Sequence, residues 1–378
     1  MLLSLLTLAV AMLPVFLTGS LYPLIAKDIH LPPERLGLVV AVFFGASAAG
    51  SAGLAPLADR QAPWAVARFS LAAVLVALLG LASSGGTAVM YGCMVVAGIA
   101  NGCIQPAINV AISRHIAHTR QGLAFGFKQS AIPLATLLGG FAVPFVGLTL
   151  GWRAGYGLAA LAAGALLIFL PREPNRRTAP VPAAGDGMPL RFLLMVSALA
   201  GLGAGSANAM AAFILGYGVS TGIDTAQAGF VVALGSAASI AIRLLLGLAA
   251  DRFALPLFLG VAICLAGGTL AYILLALGGP PPVYVLAVLL SFGMGWGWAG
   301  ISLLGVVRAS GPRAGRVTGV MQAGLFTGAV AGPLGFGWLT ASYSYAVAWS
   351  ALAIAATIAS LLGLGLQLLA PAARVRSG

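Results

Sequence analysis

Two cations stand where a cation needs a partner. Lys128 and Arg243 fall inside long apolar stretches, eight residues after Arg120 and eight before Asp251 respectively. At about 1.5 Å of rise per residue, each lies about 12 Å along a helix from its nearer end. A positive charge in such a span is costly unless water or an anion offsets it. The seven acids, Asp28, Glu34, Asp59, Glu173, Asp186, Asp224 and Asp251, all map to expected loops or helix ends. A bound anion, organic or inorganic, would supply the missing charge, and a carboxylate is the simplest. Two blander roles stay open: both side chains could snorkel to the membrane surface, or Arg243 could brace the turn at Asp251.

Uncharged polar residues add to this picture. Asn101, Gln105 and Asn109 recur at i, i+4 and i+8, so one face of a helix would carry all three. They either line a wet cavity or bond to neighbouring helices, a contact worth ~0.6 kcal/mol within a bilayer. Tyr22, Ser206, Asn208, Gln129 and Gln322 are further candidates within apolar spans. Trp296 and Trp298 stand among Gly293, Gly295, Gly297 and Gly300, which suggests a bent or closely packed helix. The pair could shape a pocket or simply pack. No metal-ligand cluster, nucleophile–base pair or phosphate loop is recognisable, and His30, His115 and His118 lack suitable partners. An enzyme is therefore not expected, and no cofactor is implied. Cys93, Cys103 and Cys264 lie in apolar spans and imply no disulfide framework.

The elements that must position these residues follow from composition. Hydrophobic residues make up 61% of the 378 and charged ones 7%, whereas a soluble domain carries about a quarter charged. An all-α integral membrane protein is expected, because apolar stretches of about 20 residues recur from end to end. Twelve helices are expected, at 3–26, 34–57, 64–83, 87–112, 121–146, 151–170, 191–216, 225–249, 255–277, 282–306, 314–341 and 344–369. The first has no charged leader or clean cleavage site and reads as a retained helix. One long segment near the midpoint, 171–190, is rich in Pro, Arg and Ala and reads as a tether. It would separate a first six-helix bundle, 1–170, from a second, 191–378.

The net charge of +12 is dispersed over short loops, so no nucleic-acid face is formed. Arg60, Arg68, Arg114, Arg120, Arg172, Arg176, Arg177, Arg191, Arg252, Arg308, Arg313, Arg316, Arg374 and Arg376 share one side of the expected topology. Only Lys27, Arg35 and Arg153 share the other. The positive-inside rule makes the rich side cytoplasmic, with both termini and the tether there, in the cytoplasmic membrane. No feature demands an oligomer, so a monomer in the lipid bilayer is the default.

The chain also repeats itself. Residues 37–60 aligned on 229–252 give 11 identities in 24 positions, ending in Ala58-Asp59-Arg60 and Ala250-Asp251-Arg252. A shift of 193 places Arg120, Gly122, Gly126, Gln129 and Gly139 on Arg313, Gly315, Gly319, Gln322 and Gly332. Two duplicated halves of parallel topology account for both matches. Each Asp could dock on the positive N-terminal end of a helix in the opposite half. Asp59 would meet the start of 314–341 and Asp251 the start of 121–146. With Arg60 and Arg252 they would form a conformational latch, helped by close approach at Gly122 and Gly126 and at Gly315 and Gly319. Solvated loop acids without a latch role are the alternative.

Twelve helices in two repeated halves, a basic tether and paired Asp-Arg turns resemble the major facilitator superfamily of secondary transporters. The turns depart from that family's usual pattern, with Ala55 for the leading Gly in the first copy and Ala254 for the trailing Gly in the second. The resemblance implies alternating access and a central cavity lined by the first, fourth, seventh and tenth helices. The intramembrane carboxylate common among proton-driven members is missing. A carrier for a small organic or inorganic anion is the first expectation, with an exporter of hydrophobic or drug-like compounds as the alternative. A scaffold or sensor built on a transporter fold is the reading from another class.

Overall fold

The structure is a computed structural model that describes residues 2–53, 63–113, 121–171 and 188–369. Among the described residues there is no strand, and eleven segments are long and apolar enough to cross a membrane. In chain order the helices of the first part are α1 (Leu2–Ser20), α2 (Tyr22–Ile29), α3 (Pro33–Gly53), α4 (Pro63–Ala82), α5 (Thr87–Ser113), α6 (Gln121–Gln129), α7 (Ala131–Ala142) and α8 (Trp152–Phe169). The later ones are α9 (Leu190–Ser220), α10 (Thr225–Arg252), α11 (Leu257–Leu277), α12 (Pro281–Gly293), α13 (Ala299–Ser310), α14 (Ala314–Ser342) and α15 (Tyr345–Leu369).

Three expected helices are interrupted, each for a legible reason. The first breaks at Leu21, because Pro23 in the first turn of α2 has no N–H to continue the ladder. The segment 121–146 divides at Ser130 into α6 and α7, then passes through a π-turn, Val143–Gly147, that contains Pro144. The segment 282–306 is two half-helices, α12 and α13, joined by a turn over 294–298. At 13 and 12 residues they reach only about 20 and 18 Å, short of the ~30 Å hydrocarbon core. Gly295 lets that turn lie against α11, since a Cβ on Gly268 would sit 2.7 Å from Gly295 Cα.

One expected loop is helix instead. Asp251 and Arg252 form the last turn of α10, which starts with Asp224 accepting from the N–H groups of Ala226 and Gln227 at 2.9 and 3.1 Å.

α1 from Thr7 to Ser20 and α9 from Gly203 to Gly218 are buried on every side, so these two helices form the centre. They meet where a Cβ on Gly19 would come within 3.0 Å of Ala212 Cα. The periphery is apolar and uncovered: Phe69 and Ile168 are each 79% exposed and Leu368 is 87% exposed. Such a surface is stable only against lipid. Segments before residue 172 and after residue 187 pack on one another through α3 with α14, α7 with α10 and α6 with α10. A Cβ on Gly37 would collide with the carbonyl of Pro333, and one on Gly140 would lie 2.7 Å from Gly229 O. Thr136 and Ser236 share a buried hydrogen bond of 2.7 Å across the same seam.

Candidate functional site

The site begins with a missing donor. In α6 the carbonyl of Gln129 would be bonded by the N–H four residues on, but that residue is Pro133. Arg243, projecting from the middle of α10, takes its place: Nη1 donates to Gln129 O. Nη2 donates to Trp296 O, in the turn between α12 and α13, at 2.7 Å. The guanidinium therefore ties together the breaks of two helices, and Arg243 is 1% exposed. Its Cζ also lies 5.7 Å from the centroid of the Trp296 ring. That ring stands edge-on to Phe16 of α1 at 5.6 Å and near Phe292 at 5.8 Å. Nε is buried without an acceptor among the described residues.

Lys128 sits in the last turn of α6, one residue before the bonded carbonyl. It is 7% exposed, and among the described residues its ammonium has no hydrogen bond or ion pair. The backbone of α6 approaches α10 closely just there, since a Cβ on Gly126 would lie 2.7 Å from Arg243 O. The four described acids, Asp28, Glu34, Asp224 and Asp251, all stand at helix ends. Gln129, Arg243 and Trp296 thus gather along the seam formed by α6, α10 and the α12–α13 turn, and Lys128 precedes Gln129 in α6.

Other candidates lie elsewhere. Asn101 is fully buried and donates to Ser47 Oγ at 3.1 Å, between α5 and α3, while its Oδ1 has no partner. That geometry is the interhelical bond rather than a cavity wall. Trp298 packs on Gly203 of α9, with its indole N–H donating to Gly295 O at 3.1 Å, inside the second core cluster. Asn208 donates back to Ala204 O of its own helix at 2.8 Å, and Ser206 Oγ likewise to Leu202 O. Tyr22 lies at the end of the bundle near Lys27 and Arg35, against Gly216 of α9. Gln105 and Gln322 are half-buried on α5 and α14. Asp59 and Arg60 lie outside the described residues, as does the side chain of Asn109.

At the opposite, basic end, the Asp251 carboxylate accepts from the Leu123 N–H in the first turn of α6 at 2.8 Å. Its second oxygen is 3.8 Å from Arg308 Nη2, and Arg308 Nη1 donates to Ala250 O at 3.3 Å. Arg252 is exposed, so the arginine at this contact is one that the Asp-Arg pattern did not single out. Its only sequence signal is its position in the last turn of α13 on the basic side. Phe16 was missed too, because an aromatic residue in an apolar run carries no polar signal. Of the glycines expected to allow close approach, Gly126 does, while a Cβ on Gly319 would meet nothing within 4 Å.

A family model of the Major Facilitator Superfamily matches residues 4–313. The chain belongs to the Major Facilitator Superfamily. A search of curated proteins finds no match. As a member of this superfamily the chain is a multi-pass membrane protein and a secondary transporter of a small solute. An apolar groove of about 410 Å³ between α11 and α15, lined by Ile273, Leu277, Ala353, Ile354 and Ile358, shares no residue with the candidates above. It faces the lipid and is no rival to the seam.

Proposed function

We propose that the protein carries a small organic or inorganic anion, such as a carboxylate, across the cytoplasmic membrane by alternating access. Lys128 carries this reading. It is 7% exposed within α6 and has no ion pair among the described residues. In hydrocarbon that arrangement is costly unless a solute completes it. Gln129 and Trp296 border the same region, and Asn109, Gln105 and Gln322 are retained as candidates for its walls. The two halves, 1–170 and 191–378, would move as units about the seam, with both termini and the tether on the cytoplasmic side. Asp251 at the start of α6 would act as the latch of one state, with Asp59 its counterpart in the other half. The carrier would work as a monomer.

The experiment is uptake of labelled carboxylates by the purified protein in liposomes, alongside ligand-induced thermal stabilisation, which follows from binding to the folded state alone. Carboxylate uptake that Lys128→Gln abolishes supports the proposal. A response confined to hydrophobic or cationic compounds, unaffected by Lys128→Gln, would turn the assignment to the exporter reading.

A further inference from the structure

Helices α11 and α15 touch closely towards one end and part towards the other. On the side of the basic end, a Cβ on Gly363 would lie 3.2 Å from Ala262 Cβ, and Ser360 Oγ donates to Ala262 O at 2.8 Å. Towards the end that holds Lys27, Tyr272 of α11 and Trp349 of α15 stack with centroids 6.3 Å apart and planes 15° from parallel. Both rings are fully buried, so they fill the inner side of the pair, and the apolar groove lies on its outer side.

Nothing in that groove asks for a polar occupant. Its polar lining residues Thr269, Ser350 and Thr357 donate their hydroxyls to Leu265 O, Ala346 O and Ala353 O of their own helices. No described charged residue lines it. The remainder is aliphatic, with Ile273, Ile354 and Ile358 exposed.

Its dimensions are those of one leaflet and one chain. It runs from Leu277 to Thr269 along α11 and from Ser350 to Ile358 along α15, about 12 Å on each helix and close to half of the ~30 Å hydrocarbon core. Its deep end lies where Thr357 Oγ1 comes 3.3 Å from Thr269 Oγ1. Towards the other end of the helices, the exposed Trp338 and Tyr343, with centroids 5.9 Å apart, mark the level of the membrane interface. A volume of about 410 Å³ over that length gives a mean width of ~6 Å, which admits one polymethylene chain but not a helix, about 10–12 Å across.

We infer that this groove is a lipid site: it holds one acyl chain of a bilayer phospholipid, in the leaflet at the Lys27 end. The site is independent of the anion reading and of the seam.

The test places the purified full chain in liposomes of phosphatidylethanolamine and phosphatidylglycerol, with a trace of phospholipid that carries a photoactivatable group midway along one acyl chain. Digestion and mass spectrometry then compare labelling of 269–277 and 350–358 with labelling around the lipid-facing Phe69 and Ile168. Groove labelling should exceed that at the two flanks by about fivefold or more, and Ala276→Phe, which fills the groove, should bring it down to their level. The wild-type comparison needs no variant, so it stands even if Ala276→Phe folds poorly. Even labelling of all these segments overturns the inference, as does groove labelling that a folded Ala276→Phe leaves unchanged. Groove labelling below that of the flanks would mean that a second copy covers the face, and overturns it too.

Discussion

Pro133 has no N–H for Gln129 O, and the carbonyl this leaves open is one of the two that accept from the buried Arg243 guanidinium. Backbone carbonyls at two helix breaks accept two of its five N–H donors. At the basic end the logic is reversed: the carboxylate of Asp251 meets the N–H groups at the start of α6. Asp251→Asn should cost about 1–2 kcal/mol, the scale of a charged hydrogen bond at a helix end. Arg252→Gln, an exposed change, should cost little. Melting of the two variants checks this, and equal losses would refute the assignment. A second ionic contact joins Asp28 of α2 to α8, where Arg153 Nη1 and the Trp152 indole N–H donate to its carboxylate at 2.7 and 3.1 Å. Arg153 first, then Trp152, holds the Asp28 carboxyl below the usual carboxylate range. A lowered folded-state pKa stabilises above the unfolded value, about 3.9, and the gain is lost as pH falls through the folded value. The Tm advantage of wild type over Asp28→Asn should therefore shrink on acidification. An advantage independent of pH would show that the contact is not electrostatic.

Helices here pack by backbone contact as much as by side chains. Along α14, Gly324, Gly328 and Gly332 face Ser197, Gly201 and Gly205 of α9, so closely that a Cβ on Gly328 or Gly332 would strike a carbonyl of α9. Around Gly335, one turn further, a Cβ would meet nothing within 4 Å. Gly332→Ala should destabilise by about 1–3 kcal/mol, the usual cost of overpacking, while Gly335→Ala should be neutral or slightly stabilising because alanine favours helix. Denaturant or thermal melting of the two variants tests the register, and a larger loss at Gly335 would mean the face is wrongly placed. The broken elements obey the same chemistry. Proline positions announce the breaks at Leu21 and Ser130, whereas the α12–α13 turn depends on glycine spacing together with the neighbouring α11.

The whole molecule is a transporter with α1 and α9 at its centre. At the end near Lys27, Tyr22 Cδ1 lies 3.0 Å from where a Cβ on Gly216 would be. The proposed alternating access requires this contact to open. In a background lacking Cys93, Cys103 and Cys264, Tyr22→Cys with Gly216→Cys bridged by a short thiol cross-linker should stop net transport, and reduction should restore it. Full transport by the bridged protein would mean that this end does not move.

By itself the sequence determined what depends on composition and spacing. Apolar runs with few charges can only be membrane helices, and the repeat around Asp59-Arg60 and Asp251-Arg252 marks the superfamily. The placement of Asp251 opposite the start of 121–146 follows from that repeat and from the helix dipole. Tertiary structure decided everything that depends on which face of a helix meets which neighbour. The stripe headed by Asn101 has helical spacing whether it turns to a cavity or to Ser47, and Trp298 reads as Trp296 does until α9 packs on it. Lys128 and Arg243 look equivalent as intramembrane cations. Only the packing of two helix breaks around Arg243 shows that its guanidinium donates to Gln129 O and Trp296 O.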